Sequence, residues 1–276
     1  MKYVIGDIHG HYTNLYSLTK RISEQDLNSE FIFMGDYVDR GPNSREVITF
    51  LIEFSKYKKC TFLRGNHDDV ISYLLGNKPL FDSIYFCGSS RDDAMTKYNK
   101  IYTWWRKHGL EQFLNSYNIH ASDTVLTSYI GSHVPDAHKE FFNKTRLFHA
   151  EIVNGKTYLF VHAHIPLINF NFKENVNLIA NAEIFPNYGN NENAIFNCLW
   201  QSIKPRDLDR GINIEKCGIR YNQDEILVVG HTPCINLNDK SHHAIIGNGI
   251  IAIDSGVCFG GHLTAYCLET ESFIVA

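Results

Sequence analysis

The stretch FIFMGDYVDRGPNSREVITFLIEFSKY, residues 31–57, decides how this chain folds. It opens with the apolar run 31–34, which is short enough to be a buried strand. The polar loop GDYVDRGPNS follows at residues 35–44. Residues 44–57 then carry apolar side chains at helical spacing, with Ser44 as the expected N-cap. A strand, a polar loop and a helix in this order indicate an α/β fold, in which functional loops lie at the carboxyl ends of strands.

Further strands and a further helix are predicted on both sides of this stretch. A helix is predicted over residues 12–24, and the end of the chain, 249–276, is predicted to form strands around a Gly-rich turn. Six short segments are nonpolar at nearly every position, so we predict strands buried on both faces and helices covering a central sheet. The predicted strands are 3–5, 31–34, 60–63, 157–161, 226–229 and 250–253.

Residues 1–276 are expected to form a single catalytic domain with two added segments. Residues 69–150 are predicted to be mostly helical and to form a cap beside the site, with Trp104 and Trp105 in its core. The asparagine-rich segment 167–198 lacks a regular pattern and is predicted to be a long surface insertion.

Composition excludes several classes of protein. The formal net charge is -4, so no broad nucleic-acid-binding face is expected. The seven cysteines form no CxxC pair, which favours reduced thiols in a cytoplasmic protein over a disulfide framework or a cysteine metal site. The N-terminus lacks a signal-peptide pattern, and no apolar stretch is long enough to span a membrane.

Polar clusters at the ends of the predicted strands point to a metal centre. Carboxylate, imidazole and amide ligands that lie far apart in sequence converge when parallel strand ends meet, and Asp36 could bridge two ions. This mixture of ligands suits Mn, Fe or Zn better than Ca or Mg. The predicted ligands are Asp7, His9, Asp36, Asn66, His162 and His231.

The order of these motifs resembles the phosphoprotein phosphatase family of calcineurin-like metallophosphoesterases. The motifs are GDIHG at residue 6, GDYVDRG at 35, LRGNHD at 63, VHAH at 161 and GHT at 230. The chain is most similar to bacterial serine/threonine protein phosphatases and to the related symmetrical diadenosine tetraphosphatases. The resemblance implies a β-sandwich with helices on its outer faces, a four-layer α/β/β/α fold.

The resemblance also implies roles for individual residues. Asp7, His9 and Asp36 would hold one divalent ion, and Asp36, Asn66, His162 and His231 would hold the other. Manganese is the expected metal, with iron or zinc as alternatives. A hydroxide bridging the two ions would attack phosphorus directly. His67 paired with Asp39 would be the general acid with a raised pKa, while Arg40 and Arg210, together with Asn66, would bind the phosphate.

Three functions remain open at this stage. The leading prediction is a protein phosphatase acting on phosphoserine or phosphothreonine in a phosphoprotein or phosphopeptide. The alternative is hydrolysis of a dinucleoside polyphosphate, and the third is an inactive binding module. His164 departs from the family, which usually has glycine there, and we expect a turn at Ala163 to point its side chain to solvent.

Overall fold

The computed structural model describes residues 1–76, 94–120, 127–165, 198–210, 224–237 and 241–276, with only the backbone described for 94–100, 127–128 and 209–210. The strands of this part of the chain are β1 Lys2–Ile5, β2 Glu30–Phe33, β3 Cys60–Phe62, β4 Phe148–Val153, β5 Lys156–Val161, β6 Glu225–Val229, β7 Ile245–Ile246, β8 Ile250–Ala252, β9 Thr264–Cys267 and β10 Ser272–Val275. Its helices are α1 Tyr12–Gln25, α2 Ser44–Phe54, α3 Asn66–Leu74, α4 Ala94–His108, α5 Leu110–Ser116, α6 Thr127–His133, α7 Asp136–Asn143 and α8 Pro205–Arg210.

The described strands form two mixed sheets. The first has the order β10-β9-β1-β2-β3, in which β1, β2 and β3 are parallel and β9 runs antiparallel to both of its neighbours, β1 and β10. The second has the order β4-β5-β6-β8-β7, in which β5, β6 and β8 are parallel. All six predicted strands are present, with ends that differ by one residue at most.

The two sheets pack face to face. Val4, Ile32 and Met34 of the first sheet share one buried cluster with Phe160 and Val228 of the second. The opposite faces pack against helices: α1 and α2 cover the first sheet, and α8 lies against the second. Burying large apolar side chains on both faces of each sheet, at about 1.5–3 kcal/mol each, accounts for the stability of this arrangement. The four-layer α/β/β/α fold is therefore confirmed.

The expectation of one central sheet was wrong. Strands buried on both faces arise here because each sheet has helices on one side and the other sheet on its second side. A strand that is nonpolar at every position must be covered on both faces, but its sequence does not show whether a helix or a second sheet covers it, because both exclude water equally.

Strand β4 was also not predicted, because it falls at the end of the region expected to be helical. It joins β5 through Asn154-Gly155, whose φ angles of 52° and 79° fit a two-residue hairpin turn. The Asn-Gly pair beside an alternating strand is the signal that could have found it. The helices predicted between 69 and 150 are otherwise present in the described part of the chain, and their assignment as a cap stays a prediction.

Two further expectations bear on the rest of the chain. The predicted insertion 167–198 lies, apart from Cys198, outside the described residues. Over the residues that are described, no helix combines the length and the apolar character needed to cross a bilayer.

Candidate metal centre

The predicted ligands all follow strand ends at one edge of the sandwich. In the first sheet, Asp7 and His9 come after β1, Asp36 after β2 and Asn66 after β3. In the second sheet, His162 directly follows β5 and His231 follows β6. Because both sheets present these carboxyl ends at the same edge, six side chains that follow five different strands reach one region.

Asp36 lies between two groups of possible metal ligands. His9, Asp36 and His67 have donor atoms within 4.8 Å of one another, and so do Asp36, His162 and His231. One Asp36 oxygen is 3.5 Å from His9 Nε2, and the other oxygen is 3.5 Å from His162 Nε2. A carboxylate with each oxygen facing a different histidine has the geometry of a ligand shared by two ions.

Asn66 connects the histidines of the second group. Its Oδ1 atom lies 3.1 Å from His162 Nε2 and 3.0 Å from His231 Nδ1. These three donor atoms and the Asp36 carboxylate therefore converge on one point.

The ring nitrogens facing away from the centre have backbone partners. His9 Nδ1 lies 3.0 Å from the Val38 carbonyl, and His162 Nδ1 lies 2.9 Å from the Met34 carbonyl. His231 is turned the other way, with Nε2 3.1 Å from the Trp200 carbonyl. Histidines that bind metals show this pattern, because a partner on one nitrogen fixes which nitrogen faces the ion.

Asp7 provides the test of whether the site fits a metal. One of its oxygens accepts a hydrogen bond from the His231 backbone N–H at 3.0 Å. The other oxygen is buried and has no hydrogen-bond partner among the described residues. A side chain on Gly230 would overlap that oxygen. Because a buried carboxylate oxygen without a partner is costly, its position fits a role as a metal ligand.

The Asp36 carboxylate favours positive charge on His162, whereas burial disfavours it on His9 and His231. Burial lowers the pKa of His9, and it lowers that of His231 to about 3 together with the charge of His162. Burial also opposes a charged His162, but the Asp36 carboxylate outweighs it and raises the His162 pKa to about 10. Burial would raise the pKa of Asp36, yet His162 holds it well below its usual range. The residues present therefore fit divalent cations.

His67 and Asp39 form a buried pair beside this cluster. His67 Nδ1 is 2.7 Å from Asp39 Oδ2, and Arg40 Nη2 is 3.4 Å from His67 Nε2. Burial raises the pKa of Asp39 well above its ordinary value and lowers that of His67 to about 3. The expected raised pKa of His67 was therefore wrong, because removal from water outweighs the nearby carboxylates.

Ser44 also differs from expectation. Asn43 is the N-cap of α2, and the Ser44 hydroxyl accepts a hydrogen bond from the Asp39 backbone N–H at 3.1 Å. The start of α2 thus helps to hold the loop that carries Asp39.

Two arginines were predicted to bind phosphate. The Arg40 guanidinium lies 4.9 Å above the Phe259 ring, and its buried Nε has no hydrogen-bond partner in the described part of the chain. The Arg210 side chain lies outside the described residues, and its backbone ends α8. Its predicted contact with phosphate remains a prediction.

The loops that hold these residues adopt unusual backbone conformations. Eight described residues other than glycine have positive φ, and five of them are at this site. Left-handed backbone is unfavourable for residues with a Cβ, so the fold holds these loops in place against local preference. The five are His9 (45°), Asp36 (51°), Asp39 (71°), Arg40 (63°) and His231 (60°).

The centre opens into a cleft of about 280 Å³. Trp104 was expected in the core, but it lines this cleft and stacks on His108 with centroids 4.4 Å apart. Trp200 meets the Trp104 ring edge to face at 5.2 Å. Trp105, by contrast, is fully buried as predicted. The lining residues are His9, Asp36, Arg40, Asn66, His67, Trp104, His108, Trp200, His231, Pro233, Asn236, Asp254 and Phe259.

Asp254 lines the cleft and was not predicted as a site residue. It is 4% exposed, and burial raises its pKa to about 6. It follows the apolar run of β8, as Asp7 follows β1 and Asp36 follows β2. The same strand-end rule that identified those ligands could therefore have found it.

His164 does not point to solvent, so that expectation was wrong. Its side chain is 4% exposed, Nδ1 lies 2.9 Å from the Ile165 carbonyl, and burial lowers its pKa. It is not among the residues that line the cleft. The described chain thus buries His164 away from the metal centre.

Known proteins are similar to this chain in sequence or in fold. Bis(5'-nucleosyl)-tetraphosphatase PrpE of Oceanobacillus iheyensis, of the asymmetrical type, is 24% identical over 283 residues, covering 98% of this chain and 90% of its own. A candidate serine/threonine-protein phosphatase of Caenorhabditis elegans is 46% identical over 69 residues, 24% of this chain and 14% of that one.

Among solved structures, a candidate diadenosine tetraphosphatase has a TM-score of 0.52 at 14% identity, covering 100% of this chain and 92% of that one. Likeness at this level of identity shows a shared fold. The calcineurin-like phosphoesterase family matches residues 3–263, which contain every strand-end motif of the centre. The chain therefore belongs to the calcineurin-like metallophosphoesterases, a family of hydrolases that act on phosphoester bonds.

Proposed function

We propose that this protein is a metal-dependent phosphoric monoester hydrolase whose catalytic residues are His67 and Asp39. The observation that carries the proposal is the position of Asp36, whose two oxygens face His9 and His162 beside the buried His67–Asp39 pair. A purely structural role would not explain this combination, because concentrating buried charges at one edge of the sandwich destabilises the folded protein.

The proposed metal ligands are the six predicted residues. Asp7, His9 and Asp36 would hold one ion, and Asp36, Asn66, His162 and His231 would hold the second. Two divalent ions, manganese first, would supply a nucleophile activated at neutral pH and neutralise phosphate charge. The mixed oxygen and nitrogen donors support manganese, iron or zinc over calcium.

The residues around the cluster would handle substrate and proton. Arg40 would bind phosphate oxygens, and Arg210 and Asn66 are proposed to assist it. His67 would protonate the leaving oxygen through Nε2, the ring nitrogen that is not paired with Asp39. Asp39 would fix the ring through Nδ1, so that Nε2 faces the cleft.

Phosphoserine or phosphothreonine in proteins is the first proposed substrate class. The 69-residue match to the Caenorhabditis elegans sequence supports it, because that relative is named as a candidate phosphatase of this type. A phosphopeptide substrate would need only the phosphate contacts described above.

Dinucleoside polyphosphate is the second proposed class, and a different observation favours it. The Trp104, His108 and Trp200 rings form an aromatic wall beside the cluster, and planar bases stack on such surfaces. The Oceanobacillus iheyensis relative is named as a hydrolase of this class, and the match covers 98% of this chain.

A kinetic comparison tests the proposal and separates the substrates. Purified protein with added Mn²⁺ is given a phosphothreonine peptide or diadenosine tetraphosphate. 4-Nitrophenyl phosphate serves as a general phosphatase substrate that resembles neither class. Asp36→Asn is the control and should lose at least one ion and nearly all turnover. Two tightly held ions with near-normal turnover in Asp36→Asn would contradict the site. No turnover of any probe by metal-loaded protein would favour an inactive binding module.

Location is proposed from the thiols. Cys60, Cys198, Cys234, Cys258 and Cys267 are free in the described part of the chain, which supports a reducing cytoplasmic compartment.

A further inference from the structure

Trp105 makes a polar contact that its burial alone does not require. Its indole Nε1–H donates to Asp39 Oδ1 at 2.9 Å, while Asp39 Oδ2 faces His67 Nδ1 at 2.7 Å. Each oxygen of the carboxylate therefore has one partner, and the three side chains form a continuous line. All three are fully or almost fully buried, so no water competes for these bonds.

We propose that Trp105 is a positioning residue for the His67–Asp39 pair, acting as the third member of a Trp–Asp–His relay. The inference rests on the proposed role of His67 as general acid. An indole N–H is only a donor, so its partner must be an acceptor oxygen. Trp105 thereby fixes the orientation of the Asp39 carboxylate, which in turn fixes the His67 ring toward the cleft.

Helix α4 is built to deliver this side chain. Gly109, directly after α4, has φ 141°, and a Cβ there would lie 2.5 Å from the Arg40 backbone nitrogen and 2.8 Å from Asp39 Cα. Only glycine allows the end of the helix to approach the Asp39–Arg40 loop so closely. On the other side, the Trp105 ring packs against Phe113 at 5.4 Å, which sets its orientation.

The test replaces only the donor. Trp105→Phe keeps an aromatic ring in the core and removes the N–H, whereas Phe113→Leu perturbs the same packing and leaves the relay intact. Turnover is measured on phenyl phosphate, whose leaving group needs a proton, and on 4-nitrophenyl phosphate, which needs it far less. Bound metal and melting temperature are recorded for each variant.

We expect Trp105→Phe to slow phenyl phosphate turnover by about tenfold, the order expected for one lost hydrogen bond to a carboxylate. The loss on 4-nitrophenyl phosphate should be below about twofold, with metal content unchanged. Phe113→Leu should affect both substrates equally. Equal losses on both substrates in Trp105→Phe would overturn the inference and leave a packing role only.

His67→Asn separates this inference from the proposed function. If His67→Asn shows the leaving-group dependence and Trp105→Phe does not, the relay is wrong and the general acid stands. If His67→Asn shows no such dependence, both are wrong.

A second measurement covers failure of Trp105→Phe to fold. In ¹⁵N-tryptophan-labelled protein loaded with diamagnetic Zn²⁺, Trp104→Phe and Trp200→Phe assign the Trp105 indole resonance by elimination. Asp39→Asn should shift that resonance upfield. An unmoved resonance would overturn the proposed contact.

Discussion

Gly65→Ala is expected to disable the metal centre through a single methyl group. Gly65 precedes Asn66 at the start of α3 and lies against the Asp36 backbone and carboxylate. A Cβ at this position would be 2.8 Å from Asp36 Cγ and would overlap Oδ1 and the Asp36 backbone nitrogen still more closely. Gly65 has φ -90°, so the effect is one of space and not of backbone preference.

The size of the effect follows from this overlap. The Asp36 carboxylate must retreat by about 1 Å to reach an ordinary contact distance, and the backbone nitrogen must move with it. Overpacking of this kind costs about 1–3 kcal/mol of unfolding free energy, and each kcal/mol lowers the melting temperature of a chain this size by about 2–4 °C. A displacement of about 1 Å at reacting groups slows turnover by about 100-fold.

The assay compares Gly65→Ala with Gly131→Ala. Gly131 lies in α6, and among the described residues a Cβ there would meet only the Leu75 carbonyl oxygen, at 3.7 Å, an ordinary contact. The control should keep parental turnover and stability or gain up to about 1 kcal/mol from improved helix propensity. Melting temperature, bound metal and 4-nitrophenyl phosphate turnover are measured for both. Parental values of all three in Gly65→Ala would refute the close confinement of Asp36.

Three further predictions concern other parts of the molecule. Arg40→Ala should weaken inhibition by inorganic phosphate and slow turnover, because a contact that strengthens with developing charge lowers the barrier; unchanged phosphate inhibition would remove Arg40 from the site. His164→Gly should keep both metals and change turnover less than about fivefold, but lower the melting temperature because a buried ring leaves a cavity, and metal loss would contradict this. Burial opposes charge on Glu151, but hydrogen bonds from His149 and Lys2 lower the Glu151 pKa to about 2. The stability that the charged Glu151 contributes is therefore present above about pH 4.5 and is lost as the pH falls toward 2. Glu151→Gln should flatten that part of the curve of unfolding free energy against pH, and an unchanged curve would show that the ion pair contributes nothing.

Local patterns predicted the strands and the loops of the centre. A buried strand and the polar residue at its end lie within a few positions of each other, so Asp7, Asp36 and His231 could be read directly from the sequence. The pairing of two sheets is a long-range feature, and no single run contains it. Strand β4 was hidden because its hairpin follows directly after a helical region.

Neighbouring residues on a helix explain a second partial failure. Trp104 and Trp105 are one position apart, which on an α-helix separates their directions by about 100°. One ring therefore enters the core and the other lines the cleft, although the sequence presents them as a single apolar pair. His164 was misassigned for a related reason, since the packing that buries it comes from parts of the chain distant in sequence.

The left-handed backbone at the metal centre has a consequence for protein engineering. Five site residues with a Cβ occupy a conformation that glycine adopts without penalty. Replacing Arg40 or His231 by glycine would relieve local strain of about 1 kcal/mol per position while deleting a working side chain. A directed-evolution campaign that selects only for heat resistance would therefore accept inactive variants at these loops wherever the relieved strain exceeds the packing that is lost. Screens on this scaffold should score survival and turnover in the same round.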